Sequence, residues 1–293
     1  MINMDIYTNH IKTNILTLYE WLCSIYLMAR AYFAPTNPMV TIKRPTNELM
    51  YYDFDNLWAD ITSSSVTVII LIISGLWCID YCLHKRFQDT TTRWYMLHCI
   101  ANIFVVWFAF DNFCQLIANP DNALTVTPTY SPLNVTIALH MYHMLFFNNL
   151  DAIDWIHHTL MISIAMISYC YSAPIIVATN GLLMFLNGLP GGIDYFLLTL
   201  VKTKVIDKMN EKHINIYLNL CIRSPGVIIA TYILYLTFQK TQEVDWYVQC
   251  IAYGILLWNS QYFLLRVIGN YVACLFKTNN IKKPVNVVKE TFV

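Results

Sequence analysis

Charge is what this sequence has least of. Asp, Glu, Lys and Arg make up 12% of its 293 residues, against about 25% in soluble domains. A soluble globular domain of this length is therefore not expected. The 18 basic and 18 acidic residues cancel, which removes the basic field that binding to nucleic acid needs. Nine cysteines are present, but no two stand in a CxxC pair. Cys78 and Cys82 share a helix face, yet two thiols alone make a poor metal site, and the cysteines read as small apolar packing residues. No resident metal or other cofactor is expected. Only eight glycines occur, beside abundant Ile, Asn and Tyr, a bias of AT-rich coding with no bearing on function. The N-terminus lacks a basic leader and Glu20 interrupts its apolar stretch, so a cleaved signal peptide is not expected. Internal repeats and low-complexity tracts are also missing.

What fills the chain is apolar. Hydrophobic residues reach 57% and aromatics 15%, with 20 Tyr and 8 Trp, as at membrane interfaces. A spanning helix needs roughly 20 mostly apolar residues, because every backbone polar group must be satisfied inside the bilayer. Seven segments qualify: 61–84, 94–117, 133–150, 155–172, 174–201, 214–238 and 246–273. The expected fold class is all-α, a polytopic transmembrane helical bundle of about seven spans. Residues 1–60 read as an N-terminal segment, with an interfacial helix at 13–33 (an eighth span is the alternative) and a polar, Pro-containing linker at 35–60. Residues 61–90 hold a leading helix and a basic loop, 91–275 the main transmembrane domain and 276–293 a basic tail. Eleven of the 18 basic residues fall on one side of this topology: Lys85, Arg86, Arg93, Lys202, Lys204, Lys208, Lys212, Lys277, Lys282, Lys283 and Lys289. The positive-inside rule then puts the C-terminus in the cytosol. On the opposite side, Asn134-Val135-Thr136 is a glycosylation sequon that abuts the third span.

Ionisable residues inside a membrane are costly and mark functional sites. Here they concentrate. His140 and His143 sit three apart on one face of the third span, and Asp154, His157 and His158 open the fourth. Asp154 precedes His158 by one helical turn, so its carboxylate is placed to orient that imidazole. His98, early in the second span, falls on the same level. The competing reading is structural: a single intramembrane His often serves as a hydrogen-bond partner between helices, and Asp154 can cap its helix. Adjacent His157 and His158 point about 100° apart on a helix, and packing rarely needs both.

The fifth span carries a second feature. Asn180, Asn187 and Asp194 recur every seven residues, which places them on one face of a continuous helix as candidate substrate contacts, with His140 beside them. Leu189-Pro190-Gly191-Gly192 predicts a kink or break just before Asp194. Such a break lines a cavity in some membrane proteins, or is a packing kink. Arg223, Arg266, Asp80 and Asp111 read as structural charges.

The text Leu139-His140-Met141-Tyr142-His143, then Asp154-Trp155-Ile156-His157-His158, then Asp194-Tyr195-Phe196-Leu197-Leu198 through Lys202 resembles the TLC domain family, which includes the ceramide synthases. The resemblance covers roughly residues 90–275 as a six-helix core, with 61–84 as the leading helix. It implies an endoplasmic reticulum membrane protein that acts in lipid metabolism, sensing or transport, with membrane lipids as partners. In ceramide synthases the paired histidines are implicated in acyl transfer from acyl-CoA to a sphingoid base. Carried over, that role falls on His157 and His158, with Asp154, His143 and Asp194 as further candidates and acyl-CoA as co-substrate. The chain looks closer to the divergent members, because Phe185-Leu186-Asn187-Gly188 stands where those synthases carry a His-Asp pair. Three alternatives stay open: a lipid-binding relative without catalysis, a transporter or channel using the Asn180–Asp194 stripe, and a metal-dependent lipid hydroxylase or desaturase using the His boxes.

Overall fold

The computed structural model describes residues 39–43, 49–147, 150–169, 171–242 and 244–278, with side-chain placements from Ser65 onward. The interfacial helix expected at 13–33 and most of the basic tail lie outside the described residues. Apart from one short antiparallel ribbon, every described element is helical. The ribbon pairs Met39–Lys43 with Leu49–Asp53, in the register Met39 to Asp53 and Lys43 to Leu49. It occupies the segment expected as a plain linker, because Val40, Thr41, Ile42, Tyr51 and Tyr52 are residues that favour a pleated backbone.

Seven long helical segments come after it among the described residues. They are α1 (Phe54–Arg86), α2 (Thr90–Ala118), α3 (Ser131–Phe146), α4 (Ala152–Ser168), α5 (Ala173–Lys202), α6 (Lys208–Thr241) and α7 (Trp246–Thr278). Each expected span is helical. Four stretches are long and apolar enough to cross a membrane: Ser65–Arg86, Thr90–Ala118, Ala173–Lys202 and Lys208–Thr241. They are compatible with a multi-pass membrane protein. Helices α3 and α4 have only 16 and 17 residues, about 24–26 Å of rise, short of a hydrocarbon core about 30 Å thick. Helix α7 has 33 residues, but Gln249, Asn259, Gln261, Arg266 and Asn270 interrupt its apolar run.

Local chemistry sets the helix ends. Asp89 caps α2, its carboxylate accepting from the Thr92 amide at 3.0 Å and the Thr92 hydroxyl at 2.7 Å. Asp207 caps α6 through the Met209 amide at 2.7 Å. Helix α6 ends where Gln242 turns left-handed, at φ 54°.

Two helices widen rather than break. Residues Met184–Gly188 in α5 and Asn219–Arg223 in α6 form single π turns. There the Leu189 amide reaches the Met184 carbonyl and the Ser224 amide the Asn219 carbonyl, five residues back. Each π turn ends two residues before a proline, Pro190 or Pro225. Proline has no N–H, and its ring clashes with the carbonyl four residues earlier, here Leu186 or Cys221; widening the turn moves that carbonyl aside. The sequence pointed to a break at 189–192, but the helix instead widens at 184–188 and then continues through the Pro-Gly-Gly.

The glycines after the π turn serve packing. A Cβ on Gly191 would lie 2.8 Å from Asn102 Nδ2, and one on Gly188 3.1 Å from Val106. The second half of α5 therefore lies tightly against α2. One core cluster gathers Leu97, Ala101, Val105, Leu133, Ile137 and Ile162; another gathers Leu116, Ile175, Val177, Leu182, Val227 and Leu234.

Polar contacts mark the two ends of the bundle. At one end Arg93 pairs with Asp80 at 3.6 Å, Tyr142 donates to Asp80 at 3.0 Å, and Lys202 lies 3.9 Å from Asp89. At the other, Lys240 pairs with Asp121, and Tyr130 stacks on Tyr169 with centroids 5.5 Å apart. The sequon residue Asn134 sits at this second end, buried, and accepts from the Tyr169 hydroxyl, a geometry that leaves it no room for a glycan.

Candidate functional site

The first turns of α2 and α4 and the last turns of α3 meet at the Asp80–Arg93 end. Each brings histidine: His98 from α2, His140 and His143 from α3, His157 and His158 from α4. His98, His140, His143 and His158 are buried, and His157 is partly exposed. Ring centroids are 4.2 Å apart for His98 and His143, 5.6 Å for His143 and His158, 5.1 Å for His140 and His158, and 5.6 Å for His140 and His157. Five imidazoles thus form one continuous cluster. Its walls are aromatic. Trp94 stacks on His143 at 4.8 Å and meets His158 edge-on at 5.9 Å, Phe147 meets His143 edge-on at 5.0 Å, and Tyr195 stacks on His98 at 4.2 Å.

Backbone carbonyls fix three of the rings. His98 Nδ1 bonds the Trp94 carbonyl at 3.1 Å, His140 Nδ1 the Thr136 carbonyl at 2.6 Å, and His158 Nδ1 the Asp154 carbonyl at 2.5 Å. A carbonyl only accepts, so Nδ1 carries the proton in each, and Nε2 of the neutral ring keeps its lone pair. The expected role of Asp154 changes accordingly. Its backbone orients His158, while its carboxylate accepts from the Asp151 amide at 3.3 Å. The Asp154 amide donates in return to the Asp151 carboxylate at 2.8 Å. The side chain is a helix-start device, because at the first turn free amides compete for it.

The Asn180, Asn187 and Asp194 stripe does not form one face. Asn180 donates to Asn112 at 2.9 Å and to the Thr129 carbonyl at 2.8 Å. Asn112 lies fourteen residues beyond His98 on α2, about 21 Å along the axis, so Asn180 belongs to the other end. Asn187 donates to the Thr136 hydroxyl at 3.3 Å, and the Thr136 carbonyl in turn holds His140. Asp194 accepts from Asn215 at 2.6 Å. The π turn at 184–188 adds a residue to the turn and rotates the second half of the helix, which a seven-residue count on a regular helix cannot register.

Asp194 instead heads a polar string on α6. Asn215 is linked to Asn219 at 2.6 Å, and Asn219 accepts from Arg223 at 2.8 Å. Arg223 is buried with its guanidinium over Phe263 at 5.4 Å. Buried Glu211 contacts Asn215 and pairs with Lys212 at 3.0 Å. Beside this string opens a cavity of about 420 Å³, lined among others by Tyr95, Lys202, Lys208, Glu211, Lys212 and Asn270. It connects to the histidines through two rings, Tyr95 against Tyr195 at 5.9 Å and Tyr195 on His98.

Sequence reasoning grouped His140, His143, His157 and His158, which the structure brings together, and left His98 outside the candidate set. It missed Trp94 and Tyr195, since an aromatic residue among 15% aromatics carries no signal of its own. No family model matches the chain, and no curated protein or solved structure matches it either, so the site is read from its own geometry.

Proposed function

We propose that this chain is a TLC-type integral membrane protein of lipid metabolism whose histidine centre transfers an acyl group from acyl-CoA to a lipid amine. The observation that carries this reading is the convergence of five imidazoles from three helices at one end of the bundle, with His157 at its partly exposed edge. His157 carries the proton transfer, and the His158 ring beside it, 5.6 Å away, positions it. An imidazole lone pair takes the amine proton as the nitrogen attacks the thioester carbonyl. The C–S bond then breaks, and the imidazolium returns the proton to the departing thiolate. Lys202, Lys208 and Lys212 around the neighbouring cavity offer the positive charge that a CoA phosphate requires. Placing this lysine-rich end in the cytosol of an endoplasmic reticulum membrane would bring the site level with a soluble thioester.

Lipidomics of cells expressing the wild type beside the His157→Ala/His158→Ala double variant tests the reading. The expected result is loss of an acylated lipid, with a stability decrease of only about 1–2 kcal/mol. A folded double variant that leaves every lipid at its wild-type level rejects it.

A further inference from the structure

We infer that His98, His143 and His158 form a mononuclear site for a divalent transition metal of the zinc type, a proposal that goes beyond the lipid reading and does not depend on it. One ring nitrogen from each of the three lies within 4.8 Å of the others, and all three side chains are buried. They come from α2, α3 and α4, so no local motif explains their meeting.

The unsatisfied nitrogens point the same way. Both ring nitrogens of His143 and Nε2 of His158 are buried without a hydrogen-bond partner. A buried polar group left bare is costly, and a shared cation removes that cost for two of them together. The outer contacts have the form that metal-binding imidazoles use. His98 and His158 hand their Nδ1–H to backbone carbonyls of Trp94 and Asp154, which fixes the rings and presents Nε2. The rings of Trp94 and Phe147 pack against His143, and that of Tyr195 against His98.

The donor set selects the ion. Three neutral nitrogens without a carboxylate disfavour calcium and magnesium, which take oxygen, and suit zinc and its neighbours. Zinc–nitrogen bonds of about 2.0–2.1 Å in a tetrahedron set the nitrogens about 3.3 Å apart. The trio must therefore close by up to about 1.5 Å from the present spacing. The His98 and His143 rings lie nearly parallel, at 22°, so one of them turns to bring both lone pairs onto the ion. Three protein ligands leave a fourth position open, as in catalytic rather than structural zinc sites. His140 and His157 stand beside the trio, their rings 5.1 and 5.6 Å from that of His158.

Metal content of the full-length protein decides the matter. It is purified in detergent, without chelator and with an affinity tag that contains no histidine, and measured by mass spectrometry. The stripped protein is then titrated with cobalt(II). The expected result is about one bound ion per chain and the intense visible bands of tetrahedral cobalt. His98→Ala and His143→Ala should lower metal affinity at least tenfold, whereas His213→Ala, outside the cluster, should retain the ion. Wild-type protein that carries no stoichiometric metal and gives no cobalt bands overturns the proposal without recourse to any variant. So does full metal retention in both His98→Ala and His143→Ala. Lipid profiles do not enter this readout, so it stands or falls separately from acyl transfer.

Discussion

The stretch Ser65–Arg86 and the helix Ala173–Lys202 are both apolar, but they are opposites in what surrounds them. The first is the more apolar, with a mean hydropathy of 2.2 against 1.4, yet 6% of its most apolar window is buried against 72% for the second. In water the order would be reversed. Ile70, Leu71 and Trp77 point away from the bundle, whereas Asn180 and Thr179 are buried inside it. An outer surface more apolar than the interior is what a hydrocarbon solvent asks of a helix. The interior helix is built for close approach instead, with Gly181, Gly188, Gly191 and Gly192 against side chains of α2. In the outer helix, Gly75 has nothing within 4 Å of its missing Cβ. High hydropathy thus goes with exposure, and small and polar residues with the core, the pattern expected of helices in lipid.

Four substitutions can break or sharpen that contrast. The largest effect is expected from Leu71→Lys, at a position 65% exposed on the outer helix. Lipid around this face implies a cost of about 2.5–3.5 kcal/mol, read as lost thermal stability in nanodiscs. A change within about 0.5 kcal/mol, usual for a watery surface, would end the comparison.

Next comes Gly191→Val in the interior helix. Its Cβ would meet Asn102 at 2.8 Å, so overpacking should cost about 1–3 kcal/mol. Gly75→Ala should be neutral, or stabilise by up to about 1 kcal/mol, since alanine is the better helix former. Equal melting shifts for the two would show that the interior helix has more slack than its packing indicates.

The smallest effect is expected from Asp89→Ala, at the junction where the loop after the outer helix meets Lys202 at the end of the interior one. Loss of the cap should cost about 1 kcal/mol. The Thr92 hydroxyl bond, the leading cause, holds the Asp89 carboxyl below its ordinary value of 3.8. A depressed carboxyl stabilises the fold above its unfolded value and loses that contribution as pH falls through the folded one. The difference between wild type and Asp89→Ala should therefore stay constant from neutral pH down to about 4 and vanish below that. A difference that already shrinks between pH 7 and 5 would contradict the capping role.

Much of the site was legible because histidine is rare in an apolar chain and its spacing on a helix is simple. His140 and His143 share a face by count, and His157 and His158 open a helix next in sequence. Other features were hidden for physical reasons. Which oxygen of Asp154 meets His158 depends on competition with the free amides of the first turn. The fate of the Asn180, Asn187 and Asp194 stripe depends on a π turn that costs the helix little and leaves no mark except a proline two residues on. Arg223, read only as a structural charge, is buried with its guanidinium over Phe263 and tied to Asp194 through two asparagines.

The sequence alone determined the helices, because backbone groups in long apolar runs must bond within their own segment, and it determined which end gathers lysine and histidine. Only the tertiary structure decided that His98 joins His143 and His158 from three separate helices. Such a meeting depends on how α2, α3 and α4 pack around Trp94, and packing is a property of surfaces that no single segment contains.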